Sequence, residues 1–144
     1  MEERPRNGKI TEYNKPFIEQ RADPYVVRAD DGRYYFTASV PSYDRIILRC
    51  SDTLSGLKDA DEKVIWTKHK SGEMSEHIWA PELHFLFGKW YIYFASSMAE
   101  DKWRLRPYIL ECQGADPMND EWIEKGKIKR SEERRVGKEC PTEC

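Results

Sequence analysis

One pattern governs what this chain can fold into: a set of landmarks that recurs at a fixed interval. Gly32-Arg33-Tyr34-Tyr35 returns as Gly88-Lys89-Trp90-Tyr91, and Trp66 returns as Trp122, each 56 residues on. Around the landmarks lie eight runs rich in β-branched and aromatic residues, four per repeat. "DPYVVRA", an Asp-Asp-Gly turn and "RYYFTASV" read as a hairpin, followed by "RIILRCS" and "KVIWTKH". The second set is "APELHFLF", a turn at Gly88, "KWYIYFAS", "RPYILEC" and "EWIEKGKI". "IILRC" echoes "YILEC", displaced by an insertion around "EDKWRLR". A four-stranded unit with aromatic landmarks, repeating at about 40 to 60 residues, is the signature of a β-propeller blade. A single eight-stranded sandwich would need the matched tryptophans and glycine turns to be coincidences. Propellers close with roughly four to eight blades, and closure protects their strand edges. Two blades therefore predict an all-β propeller fragment, the front of a longer ring.

Composition narrows the function classes. The 24 basic and 26 acidic residues are well mixed and leave a net charge of −2, which offers no basic face to a nucleic acid. No apolar run approaches the ~18 residues that span a bilayer, and "MEERPRNGKITEYNKPF" has no apolar segment of a secretory signal. These observations predict a cytoplasmic protein with neither membrane nor nucleic-acid partner. Of the four cysteines, Cys50 and Cys112 fall in strand-like runs, and Cys140 and Cys144 fall near the C-terminus. None has zinc spacing, and His69, His77 and His84 share no short motif, so free thiols and no metal are expected. Residues 130–144, "RSEERRVGKECPTEC", lack periodicity, and the "RSEERRVGKEC" portion closely resembles the translation of a synthetic sequencing adapter. The expected division is two blades over 1–129 and a non-native tail over 130–144. No phosphate loop, triad or dinucleotide fingerprint is present.

The stretch "EQRADPYVV" raises the question of chemistry. Asp23 stands before a proline where a strand begins, a place that suits a turn residue as well as a functional acid. In a propeller the first strand of each blade lines the central channel, and a proline at its start removes a donor that would go unpaired. Blade two offers "HIWAPELH" there, with Trp79 to Glu82 reaching the channel mouth, so both inner strands open with an acid beside a proline.

"ADPYV", "YYFTAS" after a glycine turn and "WAPELHFLFGKWYIYF", in that order, resemble family 43 of the glycoside hydrolases. That family consists of five-bladed β-propellers acting on arabinose- and xylose-containing polysaccharides. The resemblance covers about residues 14–127, and "EQRADPYV" with "SGEMSEHIWAPELH" is most similar to the α-L-arabinofuranosidases. It implies an inverting hydrolase with a carbohydrate substrate, and Asp23 as general base with Arg21 as a nearby positive charge and a candidate substrate-binding residue. Inversion needs a carboxylate and a carboxylic acid about 6.5–9.5 Å apart, with water between. Glu82 is implied as a substrate-orienting group or a structural one, and Trp79 as a sugar platform or propeller core. Glu73, in "KSGEM", reads as a rim or solvent-facing residue. The family's general acid and the carboxylate that tunes it belong to later blades. The resemblance allows calcium in the channel of a whole propeller; the residues present call for no cofactor. A β-xylosidase of the same family, or a propeller that only binds carbohydrate or protein, is the alternative reading.

Overall fold

In the computed structural model, which describes residues 17–128, the repeat is a pair of four-stranded antiparallel meanders. The first holds β1 (Ala22–Arg28), β2 (Tyr34–Ser39), β3 (Arg45–Ser51) and β4 (Lys63–Thr67), hydrogen-bonded in chain order. The second holds β5 (Glu76–Leu86), β6 (Lys89–Met98), β7 (Asp101–Cys112) and β8 (Trp122–Lys127), in the same order. One 3₁₀ turn, Ser55–Lys58, interrupts the β3–β4 connection and buries Leu57. The tail expected over 130–144 lies outside the described residues.

The two glycine landmarks make different turns. Gly32 (φ 89°) ends a three-residue loop closed by Ala29 and Arg33, whose amide and carbonyl pair at 2.8 Å. Phe87 and Gly88 (φ 55° and 78°) form a two-residue loop between the paired Leu86 and Lys89. Two successive positive φ values match the right-handed twist of the strands they join, and glycine adopts them without steric penalty.

The blades pack face to face, and the repeat shows how. In blade two, Trp90, Ile92 and Phe94 point toward blade one, where they meet Tyr35, Ile46 and Leu48 in one core. The Tyr35 and Trp90 rings lie 5.3 Å apart across this seam. Counting back 56 residues gives Tyr34, Phe36 and Ala38, which face away from blade two and pack with Ile18, Val40, Ile47 and Leu57. Blade one thus carries its own core on one side of β2 and receives blade two on the other. This is the alternation that lets identical units stack around an axis. Trp66, on β4, also crosses the seam to Phe94 (5.2 Å) and donates its indole N–H to Glu124 at 2.9 Å.

Two strands are longer than the sequence predicts. β5 starts at Glu76, not near residue 80, and β7 starts at Asp101, because the insertion around "EDKWRLR" extends the β6–β7 hairpin. That extension carries Trp103 into solvent, where it is 75% exposed.

Candidate active site

β1 and β5 are the strands through which each blade begins, and both enter on a bulge. Pairing of β1 with β2 slips between Ala22 and Tyr25, and pairing of β5 with β6 slips on either side of Trp79. The slips coincide with left-handed residues, Asp23 (φ 51°) in the first blade and Ala80 (φ 51°) in the second, each before a proline. A proline disfavours the right-handed helical region for the residue before it, and aspartate tolerates the left-handed one better than most. The bulge holds the Asp23 side chain out of the sheet, exposed at the start of β1. Non-glycine residues there cost on the order of 1–3 kcal/mol and concentrate at functional sites.

Asp23 is oriented by a buried hydroxyl. Ser39 Oγ–H donates to Asp23 Oδ2 at 3.3 Å, and the same Oγ accepts the backbone N–H of Ala80 at 2.7 Å. The acid of blade one is thereby tied to the entry of blade two. Adjacent to Ala80 stands an aromatic group. His77 lies between Trp79 (4.6 Å) and Trp103 (4.8 Å), with Tyr43 edge-on to Trp79 at 5.5 Å. His77 Nδ1 meets the Lys102 carbonyl at 3.0 Å, which fastens the hairpin carrying Trp103 to β5. Trp79 Nε1 is buried and has no hydrogen-bond partner.

Arg21 is not the charge partner of Asp23. Its guanidinium forks Glu62, Nε to Oε2 at 3.0 Å and Nη2 to Oε1 at 2.5 Å, and Arg49 Nε reaches the same carboxylate at 3.2 Å. Burial pushes Glu62 up, yet the bonds and charges of Arg21 and Arg49 outweigh it and hold the carboxyl below its usual range. The ion cluster pins the segment leading into β1 to the β3–β4 connection, so Arg21 supports the site from behind.

Glu82 is not the repeat partner of Asp23 either. Tyr25 pairs with Thr37, and Glu82 pairs with Tyr93, which lies 56 residues beyond Thr37. In the sheet Glu82 therefore occupies the place of Tyr25, past the proline, while Ala80 occupies that of Asp23. Its half-exposed side chain accepts from His84 Nε2 at 3.2 Å, and His84 stacks on Tyr25 at 5.3 Å. Burial, and then the charge of Glu82, pushes the Tyr25 phenol up. Glu73 lies on the surface beside Lys127 at 3.8 Å. A cleft of ≈610 Å³ opens at the other end of the inner strands between Arg28, Asp31, His84 and Phe85. Asp23 stands instead at the start of β1, on an exposed face. Among the described residues no three His, Cys, Asp or Glu side chains gather as a metal site.

The sequence reading missed Ser39, His77, Tyr43 and Trp103. A register comparison finds the first, since blade two has alanine where blade one has Ser39, as it has alanine where blade one has Asp23.

The repeated meander falls within the span of a family model. The model of glycosyl hydrolases family 43 matches residues 13–139. The chain belongs to glycosyl hydrolases family 43. Among its relatives is an extracellular exo-alpha-(1->5)-L-arabinofuranosidase of Streptomyces chartreusis, 56% identical over 117 residues. That match covers 81% of this chain and 36% of the relative. Alpha-L-arabinofuranosidase 43 of Humicola insolens is 50% identical over 116 residues, 81% of this chain and 24% of its own length. The crystal structure of an alpha-L-arabinofuranosidase from Lactobacillus brevis superposes with a TM-score of 0.76 at 50% identity. It covers 80% of this chain and 38% of that one. The chain thus spans about a third or less of the length of the two curated relatives. An arabinanase of Bacillus subtilis, at 14% identity and a TM-score of 0.52, shares the fold. The two meanders are accordingly two blades of a family 43 propeller.

Proposed function

We propose that this chain is the front part of an inverting α-L-arabinofuranosidase that acts on arabinose-containing plant polysaccharides or oligosaccharides, with Asp23 as its general base. One observation carries the reading: an exposed carboxylate is fixed on a strained inner-strand bulge, in a chain half identical to proteins named for that activity.

The chemistry is that of a lone oriented carboxylate. Ionised, it accepts a proton from a water molecule as the water oxygen attacks the anomeric carbon, opposite the departing oxygen. The leaving oxygen needs a proton from a carboxylic acid about 6.5–9.5 Å away, across the sugar. That donor belongs to later blades, so this two-blade unit holds the base half of the pair. Trp79, His77 and Trp103 present ring faces suited to the C–H surface of a furanose, and Glu82, deeper along β5, orients hydroxyl groups. Arg21 contributes by holding the entry to β1.

The test is expression of the reading frame completed from its source DNA, with assays on 4-nitrophenyl α-L-arabinofuranoside and β-D-xylopyranoside. The arabinoside is expected to be hydrolysed with inversion, seen as the β-anomer appearing first by ¹H NMR. Asp23→Asn is expected to lose on the order of 10²–10⁴ in rate while keeping its fold. Near-normal activity of that variant removes Asp23 from the mechanism, preference for the xyloside makes the protein a β-xylosidase, and inactivity on both favours a binding propeller. The compartment is a separate point. Cys50 and Cys112 are free thiols, which suits the cytoplasm, whereas two relatives are named extracellular; fractionation of the source cells decides between them.

A further inference from the structure

We propose that Ser39 is a positioning residue for Asp23 and that it acts across the seam between the blades. The inference rests on Asp23 being the general base. Ser39 is 2% exposed, and its hydroxyl lies between one donor and one acceptor. A serine hydroxyl carries a single proton and two lone pairs. The Ala80 amide can only donate, so at 2.7 Å it takes a lone pair of Oγ and leaves the hydroxyl proton for Asp23 Oδ2. The direction of this two-bond chain is therefore set by a backbone group on blade two. With one acceptor site of Oδ2 taken, both acceptor sites of Oδ1 stay open to receive a proton from water. The 3.3 Å bond to Asp23 is long, as such bonds commonly are before substrate binds and tightens them.

The repeat supplies an internal control. Ser39 pairs with Ala22 across β1–β2, and Ala95 pairs with Trp79 across β5–β6. Blade two keeps the bulge, with the same φ of 51° and the same following proline, but has Ala80 for Asp23 and Ala95 for Ser39. The blade-two bulge therefore forms without a hydroxyl from its own β6, the Ala80 amide being capped by Ser39 of blade one. Where the acid is absent, its own blade's hydroxyl is absent too, so the serine goes with the carboxylate in blade one while its oxygen also caps the Ala80 amide at the entry of blade two.

The experiment compares Ser39→Ala, Ser39→Thr, Asp23→Asn and the Ser39→Ala/Asp23→Asn pair in the completed protein, with Tm checked for each. Freeing the base from its geometry is expected to lower kcat about 10- to 100-fold with KM within about twofold. Threonine keeps the hydroxyl and is expected within about threefold of the parent. On the Asp23→Asn background, Ser39→Ala is expected to subtract nothing more, because it acts only through that carboxylate. If Ser39→Ala does not fold, Ser39→Cys replaces it with a far weaker donor and the same expectation. The inference is overturned if a folded Ser39→Ala keeps kcat within about twofold while Asp23→Asn is inactive. Additive losses, or a folded Ser39→Thr as impaired as Ser39→Ala, overturn it equally. A near-normal Asp23→Asn sinks the base assignment itself, whatever Ser39 does.

Discussion

Glu62→Gln puts the support beneath Asp23 to a direct test. The carboxylate takes two bonds from Arg21 and one from Arg49, and the three side chains are only 18%, 21% and 13% exposed for Arg21, Glu62 and Arg49. Glutamine keeps the shape and one acceptor oxygen but removes the charge, leaving two guanidinium groups facing each other. Hydrogen bonds to charged groups contribute about 1.5–3 kcal/mol each, and breaking a buried pair costs about 3–5 kcal/mol. Partial exposure screens these values, so a loss of about 2–3 kcal/mol is expected at pH 7. The sign with pH comes from the depressed Glu62 pKa. Its stabilisation is fully present above the ordinary value of 4.5 and is lost as pH falls through the lower folded value. Protonation then does to the parent what the substitution does to the variant, so the gap between them narrows at acid pH. Urea unfolding of both proteins at pH 7 and near pH 3 measures it. A difference below about 0.5 kcal/mol at pH 7, or the same difference at both pH values, would refute the reasoning.

Three further outcomes are expected. Trp90→Ala opens the blade seam opposite Tyr35, and urea unfolding should show a loss of about 3–5 kcal/mol, in the range of large aromatic deletions from cores. Trp103→Ala, at a 75% exposed position, should leave stability within about 0.5 kcal/mol yet raise KM for arabino-oligosaccharides in the completed protein. Burial pushes the Cys112 thiol up, so mass-mapped alkylation at neutral pH should modify it only as the chain unfolds, a hypothesis that fast labelling of the native protein contradicts.

The fold is legible because a meander is a local code. Every expected strand exists, since the alternating runs are local and the β1–β2 and β5–β6 hairpins are each set by a glycine turn within a few residues. The places where sequence misleads share a physical cause. Nothing in "SEHIWAPEL" announces that β5 begins at Glu76, because strand pairing there persists through left-handed His77 and Ala80, held by contacts from β6 and blade one. Adjacency matches Arg21 to Asp23, but a long flexible cation goes to the best acceptor in reach, and Glu62 lies 41 residues away in sequence. Motif matching sets Glu82 opposite Asp23 because each adjoins a proline. The sheet counts by backbone pairing, and one bulged residue moves the correspondence to Ala80.

That shift matters for where catalytic control resides. Had the two acids been equivalent, the site would be a ring of like carboxylates, each supported by its own blade. The geometry instead gives one acid, held by a hydroxyl from its own blade whose direction is fixed by an amide from the next. Trp79 adjoins that amide, and the aromatic stack built on it includes Tyr43 from blade one and Trp103 from the inserted hairpin. The groups assigned to proton transfer and to sugar contact therefore all meet at the seam whose core is Tyr35, Ile46, Trp90 and Phe94. A core is close-packed, so loosening it is expected to shift Ala80 relative to Ser39. The Trp90 ring packs on Tyr35 and Phe85, away from both the acid and the aromatic stack. Its loss should nonetheless lower kcat through Ser39, because the amide that orients the hydroxyl moves with the blade it belongs to.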